Sequence, residues 1–390
     1  MPTQHAKLSA SSAKRWLNCP GSVRASEPYP NTSSIYADEG TLAHALAEEM
    51  ITTSGGYTLA LQQKINAFYK DHPELGGSFD EMFEDIEAYA DWVLEEYRDE
   101  LTVDASTELL TEQRVDFSRF VPGGFGTSDV VIVRDNRLHI IDLKYGKGVE
   151  VDAEDNPQLK LYALGTIETL LLAYEFDDIV MTIYQPRLGH VSSAALKKWE
   201  LYEWGDKVVT PTAKKALKDH APFAAGDWCQ FCPHRAACVE RSRFVTEVEN
   251  YRRKITLTPD DISEILSMAD NLTKFLEDIQ AKALSDALEG NPVPGWKVVE
   301  GRSVRKFTGT ENEIIKRAGD AGYDRSLLYE TKMLSLTAIE KLLGKKSFAE
   351  HMADIVEKPQ GKPTLVPESD KRPALVGGSA AEAFEDEFLQ

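Results

Sequence analysis

Asp129, Asp142 and Lys144 are the residues whose types and spacing carry most chemistry in this chain of 390 residues. They fall in the run Gly126-Thr-Ser-Asp129-Val-Val-Ile-Val-Arg-Asp-Asn-Arg-Leu-His-Ile-Ile-Asp142-Leu-Lys144. Val130 to Val133 and Leu138 to Ile141 are β-branched or apolar runs of strand length. Between them, Asp135 and Asn136 are turn residues that tolerate positive φ. A two-residue loop there pairs Arg134 with Arg137, and the same register sets Asp129 opposite Asp142. Directly opposed Cβ atoms lie roughly 4.5–5.5 Å apart on one face. Lys144, two residues past Asp142, shares that face. Facing carboxylates repel unless something positive sits between them. Mg²⁺ or Mn²⁺ suits such oxygen ligands. A cation there can polarise a phosphate and make hydroxide from water, and the ammonium can orient that water or stabilise developing charge. The plainer alternative is a solvated hairpin face with an Asp–Lys pair, and a three- or four-residue loop would undo the opposition.

Other residues are spaced to join this group. Asn156-Pro157 reads as an N-cap and first-turn proline, with Gly165 as a stop. Gln158 and Tyr162 are then i and i+4 on one helix face. Upstream, Glu39-Gly-Thr-Leu-Ala-His44-Ala-Leu-Ala-Glu48 is rich in strong helix formers. His44 and Glu48 again share a face, which lets Glu48 fix the imidazole tautomer. Glu112 is a further acidic candidate for that supporting role.

The four cysteines are Cys19 and then Cys229, Cys232 and Cys238, spaced C-x2-C-x5-C. A four-cysteine zinc site is one reading, although zinc sites usually use two short knuckles and Cys19 has no near neighbour. No signal peptide opens the chain, which argues against disulfides. Free buried thiols are the remaining reading, but all four cysteines fit one pattern with none left over.

Taken together, Gly126-x-x-Asp129, Ile141-Asp142-Leu-Lys144 and Gln158-x-x-x-Tyr162 resemble the PD-(D/E)XK nuclease superfamily, and within it the RecB-like exonucleases. That resemblance covers roughly residues 9 to 244. It implies an α/β fold with a restriction-endonuclease-like core, a mixed central sheet flanked by helices. It implies that His44, in Gly40-Thr-Leu-Ala-His44, ligates Mg²⁺ or Mn²⁺ with Asp129, Asp142 and the backbone carbonyl of Leu143. Lys144 would position or activate the water, and Gln158 and Tyr162 would contact DNA or order the site. Asp142 stands where many members have Glu. The cysteine pattern resembles the iron–sulfur subset of these nucleases, which implies a [4Fe–4S] cluster on Cys19, Cys229, Cys232 and Cys238, shielded by Trp16, Trp228 and Phe231. The chain also looks like proteins carried by bacteriophages and prophages, where such exonucleases feed DNA recombination, repair or replication. A structure-specific endonuclease of the same chemistry, or a non-catalytic DNA-binding scaffold with a nuclease-derived fold, are the rival readings.

Those residues need elements to position them. The sequence predicts helices around Ala10 to Leu17 and Thr41 to Met50, helical segments over 57–101, and the core strands over 106–150. It predicts the Gln–Tyr helix over 157–175, strands over Ile179 to Gln185 and Ser192 to Leu201, and a helix from Thr210 to His220. Three parts are expected: a nuclease core over 1–245, an α+β accessory domain over 246–355, and a disordered acidic tail over 356–390. In the accessory part, Thr258-Pro259-Asp260-Asp261 starts a helix running to Leu288. A hairpin is expected over Trp296 to Phe307, and Thr337-Ala-Ile-Glu340 is a capping box.

Net charge is −20, from 44 basic and 64 acidic residues, whereas most DNA binders are basic. A DNA groove is a local property, and Lys144, Lys147, Lys160, Arg187, Lys197 and Lys198 are candidates for a basic track. A homo-oligomer or a DNA-binding partner would ease the imbalance. The last thirty residues hold six acidic and three basic side chains, and Phe384, Phe388 and Leu389 suit docking to a single-strand-binding or annealing protein. No apolar run is long enough for a membrane helix, and no P-loop is present. The expected location is the cytoplasm, that of the bacterial host if the chain is phage-encoded.

Overall fold

The computed structural model describes residues 6–29, 34–243, 257–291 and 293–299, and, further on, 310–321, 324, 328, 336, 339, 344–352 and 356. The chain divides into two units, Met1–Val299 and Glu300–Gln390. In the second unit the helices Glu311–Asp320 and Lys345–Met352 are described. The expected 296–307 hairpin, the Thr337 capping box and the acidic tail fall largely outside the described residues.

The first unit is built on five strands: β1 (Glu108–Asp116), β2 (Phe125–Arg134), β3 (Asn136–Leu143), β4 (Phe176–Gln185) and β5 (His190–Lys197). They form one sheet in sequence order. β3 and β4 are parallel and every other pair is antiparallel. A parallel pair needs a crossover, which here carries α6 (Pro157–Leu170). The expected α/β core, a mixed sheet flanked by helices, is therefore present.

Both faces of the sheet are covered, which explains the continuous apolar runs in β2 and β3. Val131, Val133, Leu138 and Ile140 pack into a core with Leu159, Tyr162 and Ile167 of α6 and with Trp16 of α1 (Ala13–Asn18). Val130, Ile132, Ile141 and Leu143 pack on the other side against three helices. These are α3 (Ile35–Thr52), α4 (Leu59–Asp71) and α5 (Phe79–Val103), which follow the short α2 (Ser22–Ser26). Each such side chain contributes about 1.5–3 kcal/mol on burial.

Local signals set the helix starts. The Ser34, Thr58 and Ser78 side chains accept from the backbone N–H three residues on, capping α3, α4 and α5. The long helix Pro259–Leu288 begins, as expected, with Thr258 as its cap and Pro259 in its first turn. This helix lies in the first unit, and its Asp278 pairs with Arg235 and with the buried Arg241 beside the cysteine run.

Two expectations need correction. Residues 198–201 are not strand: β5 ends at Lys197 and α7 (Lys198–Trp204) begins, followed by a π-helical turn and α8 (Thr210–Ala216). The Glu200 carboxylate accepts from the Lys197 N–H and starts that helix. Gly165 does not stop α6, which runs to Leu170. A Cβ there would lie 3.0 Å from the Val115 Cβ, so this glycine lets helix and strand approach closely.

Candidate active site

β2 and β3 form the expected two-residue hairpin. Arg134 pairs with Arg137 and Val130 with Ile141, and Asn136 adopts φ +66°. The ladder ends there, and the next two residues on each side are Asp129 and Asp142. Asp129 Oδ2 accepts from the Leu143 N–H at 2.8 Å. Lys144 Nζ lies 2.9 Å from Asp142 Oδ2.

α6 completes this side of the site. Asn156 Oδ1 accepts from the Gln158 and Leu159 N–H groups at 3.0 and 3.3 Å, as its N-cap role requires. Gln158 then bridges the centre. Its Nε2 donates to Asp142 Oδ1 at 2.9 Å and its Oε1 accepts from Lys144 Nζ at 3.0 Å. The same amide nitrogen lies 3.3 Å from the Tyr162 hydroxyl. Tyr162 fits because residue 126 is glycine: a Cβ there would lie 2.9 Å from the tyrosine ring.

α3 delivers His44 from the opposite side, with Nδ1 3.3 Å from Asp129 Oδ1. Asp129 thus orients the ring among the described residues, a role the sequence suggested for Glu48. Glu48 lines the same recess, with Tyr89, Thr111, Glu112 and Leu143. Glu112 was underrated from sequence: His44, Glu112 and Asp129 each present a donor atom, all within 4.8 Å of one another.

Burial and charge set the electrostatics. Asp142 is 2 % exposed, and burial, opposed by Lys144, raises its pKa. For Lys144, burial disfavours the ammonium, but Asp142 holds its pKa above the usual value. Burial alone would lower the His44 pKa; Asp129 outweighs it and raises the imidazole to about 9. Burial and the charge of Asp129 push Glu112 up to about 7. Four acidic or basic groups held this close without solvent signal a site organised around charge. Asp142 Oδ2 is buried and accepts no hydrogen bond among the described residues, because the nearby Lys144 ammonium lies off its bonding direction. Such an oxygen is costly unless something fills its coordination. A hard divalent cation fits it and the surrounding donors.

Cys19, Cys229 and Cys232 are buried and Cys238 is partly so; all four are free thiols. Although about two hundred residues apart, they line one recess with Arg15, Phe223, Trp228, His234 and Arg235. The Ala224 N–H points at Cys19 Sγ (3.4 Å) and the Gly226 N–H at Cys229 Sγ (3.5 Å). Burial raises the Cys19 and Cys229 pKa values, so a metal must supply the charge that keeps thiolates there. Of the expected shields, Trp228 lines the recess, Trp16 sits in the main core, and Phe231 is 75 % exposed and shields nothing.

The candidate basic track is largely spent on local pairs. Arg187 is 3.0 Å from Glu39 in a buried pair and lies over the Tyr145 ring. Lys160 pairs with Asp155, and Lys197 with Asp177 and Asp178. Arg187 is therefore structural, tying the turn after β4 to α3.

A family model described as "Protein of unknown function (DUF2800)" matches residues 5–373. Among solved structures, the chain is similar to a crystal structure from Eubacterium rectale named "Putative exonuclease", at 12 % identity and TM-score 0.34, covering 66 % of this chain and 92 % of that one. It is also similar to the crystal structure of SSO0001, at 13 % identity and TM-score 0.23, covering 51 % and 95 %.

Proposed function

The chain belongs to the DUF2800 family, whose description assigns no activity, and from the chemistry of its site we propose that it is a metal-dependent nuclease hydrolysing DNA phosphodiester bonds. The observation that carries this is the convergence of Asp129, Asp142 and Lys144, bridged by Gln158, around a buried carboxylate oxygen without a hydrogen bond. Asp129, Asp142, His44 and the Leu143 carbonyl would hold Mg²⁺ or Mn²⁺. When bound, such a cation polarises the phosphate and acidifies its water. Lys144 orients the attacking water and neutralises charge developing on the phosphate. Gln158 keeps Lys144 and Asp142 in place from α6, and Tyr162 backs Gln158. These two residues hold the geometry on which the rate depends.

Within this reading the enzyme is an exonuclease of the RecB-like type, serving phage DNA recombination, repair or replication. The four cysteines hold a [4Fe–4S] cluster, with Zn²⁺ as the alternative. Among the described residues, no three cysteine sulfurs lie within 4.8 Å of one another. A tetrahedral zinc with Zn–S bonds of ~2.3 Å would draw them together to roughly 3.8 Å. That spacing supports the larger cluster. Iron and sulfide analysis of anaerobically purified protein tests it, and stoichiometric zinc without iron would replace the cluster.

The activity test uses end-labelled linear single- and double-stranded DNA and covalently closed circles, with Mn²⁺ or Mg²⁺, comparing wild type with Lys144→Ala. Degradation of linear DNA alone, lost in the variant, is the expected result. Cleavage of circles makes the enzyme an endonuclease. No cleavage of any substrate by cluster-loaded protein leaves a DNA-binding scaffold.

A further inference from the structure

The recess beside the catalytic pair holds a donor set of its own. β1 and β2 are both irregular where Glu112 faces Asp129. The flanking pairs Thr111–Val130 and Gln113–Ser128 keep register, but Glu112 has φ +47°, a conformation costly for a residue with a side chain. Regular alternation fails there. Leu110 and Val115, five residues apart, pack into the same core, which a period of two forbids. The break gathers Glu112, Asp129 and His44 so that one donor atom from each lies within 4.8 Å of the others.

A second observation points to a ligand in the same place. Tyr89 of α5 lines this recess. Its hydroxyl is buried and has no hydrogen-bond partner among the described residues. It sits near enough to Asp129, Asp142 and Glu112 for their charges to act on it. A buried hydroxyl left unpaired is costly, and water carried into the recess on a cation would satisfy it.

Asp142 belongs to the other side. Its two oxygens face Gln158 and Lys144. Asp129 is shared, with Oδ1 toward His44 and Oδ2 on the Leu143 N–H. We propose that His44, Glu112 and Asp129 form a divalent-cation subsite of their own beside the one at Asp142, with Tyr89 hydrogen-bonded to a water on that ion. This rests on the metal-dependent reading of the site and adds a ligand, Glu112, and a second ion to it. An imidazole with two carboxylates suits Mn²⁺ or another first-row ion better than Mg²⁺, which prefers all-oxygen octahedra.

Mn²⁺ titration followed by electron paramagnetic resonance tests this on the full chain, with pulsed detection of imidazole ¹⁴N coupled to bound Mn²⁺. Glu112 is exposed, so Glu112→Gln spares the core, and thermal melting of the metal-free variants checks the fold. The expected result is two Mn²⁺ per wild-type chain, one of them nitrogen-coupled. Glu112→Gln weakens the nitrogen-coupled ion at least tenfold, and Asp142→Asn keeps it. Unchanged nitrogen-coupled binding in Glu112→Gln, or its loss in a folded Asp142→Asn, overturns the proposal. Two ions bound by a wild type that cleaves no DNA would support the subsite and sink the nuclease reading instead.

Discussion

At the scale of single residues, Gln158 shows how little separates a charge cluster from an organised site. One amide reads both partners: its NH₂ meets the Asp142 carboxylate and its oxygen meets the Lys144 ammonium. Lys144→Ala should lower the cleavage rate by roughly 10²–10³-fold, the usual effect of removing a donor aimed at developing charge, with Mn²⁺ affinity kept. Rates at saturating metal check this. His44 gives a pH prediction. The protonated imidazole cannot ligate, and its pKa in the metal-free protein is about 9. Below that pH a bound ion must displace a proton, so affinity should rise with pH, by up to about tenfold per unit between pH 6 and 8. Calorimetry in buffers of different ionisation enthalpy reads the released proton, and an affinity flat over this range would remove His44 from the ligand set.

At the scale of elements, α6 is positioned by its cap and by two glycines facing it or within it. Asn156→Ala should cost about 1 kcal/mol and lower Tm by a few degrees, while loosening Gln158. Gly126→Ala should act differently. Its Cβ would meet the Tyr162 ring at 2.9 Å and push it off Gln158, so cleavage should fall at least tenfold while DNA binding persists. Equal loss of both would place Tyr162 in the DNA contact and not behind Gln158. The hairpin was legible in Asp135-Asn136 and its flanking apolar runs, and the α6 cap in Asn156-Pro157, because both are written in adjacent residues. Gly165 was misread as a stop because a packing glycine and a terminating glycine look alike until the partner strand is known.

At the scale of the whole molecule, the cysteine recess joins α1 to the run after α8, and Asp278 of the long helix grips that run through Arg235 and Arg241. Closing so long a loop removes entropy from the unfolded chain. Cys19→Ala should therefore abolish iron binding and lower Tm by roughly 5–10 °C, taking 2–4 °C per kcal/mol for a unit of this size. Calorimetric melting beside iron content checks this, and an unchanged Tm in iron-free protein would reduce the recess to a surface feature. The same scale limits the electrostatic reading. Arg187 looks available for DNA in sequence, but folding buries it against Glu39, and no described helix is long and apolar enough to cross a membrane.

The amino-acid sequence by itself determined the facing of Asp129 and Asp142, the cap and face of α6, and the grouping of the four cysteines. In each case short-range periodicity and residue chemistry suffice. Only the tertiary structure decided that Gln158 bridges Asp142 to Lys144, that Asp129 and not Glu48 orients His44, and that Glu112 joins them. These meetings depend on crossovers between segments far apart in the chain, and on a left-handed residue inside a strand that no local pattern announces. Contacts of that kind are set by which faces the packed layers turn toward each other.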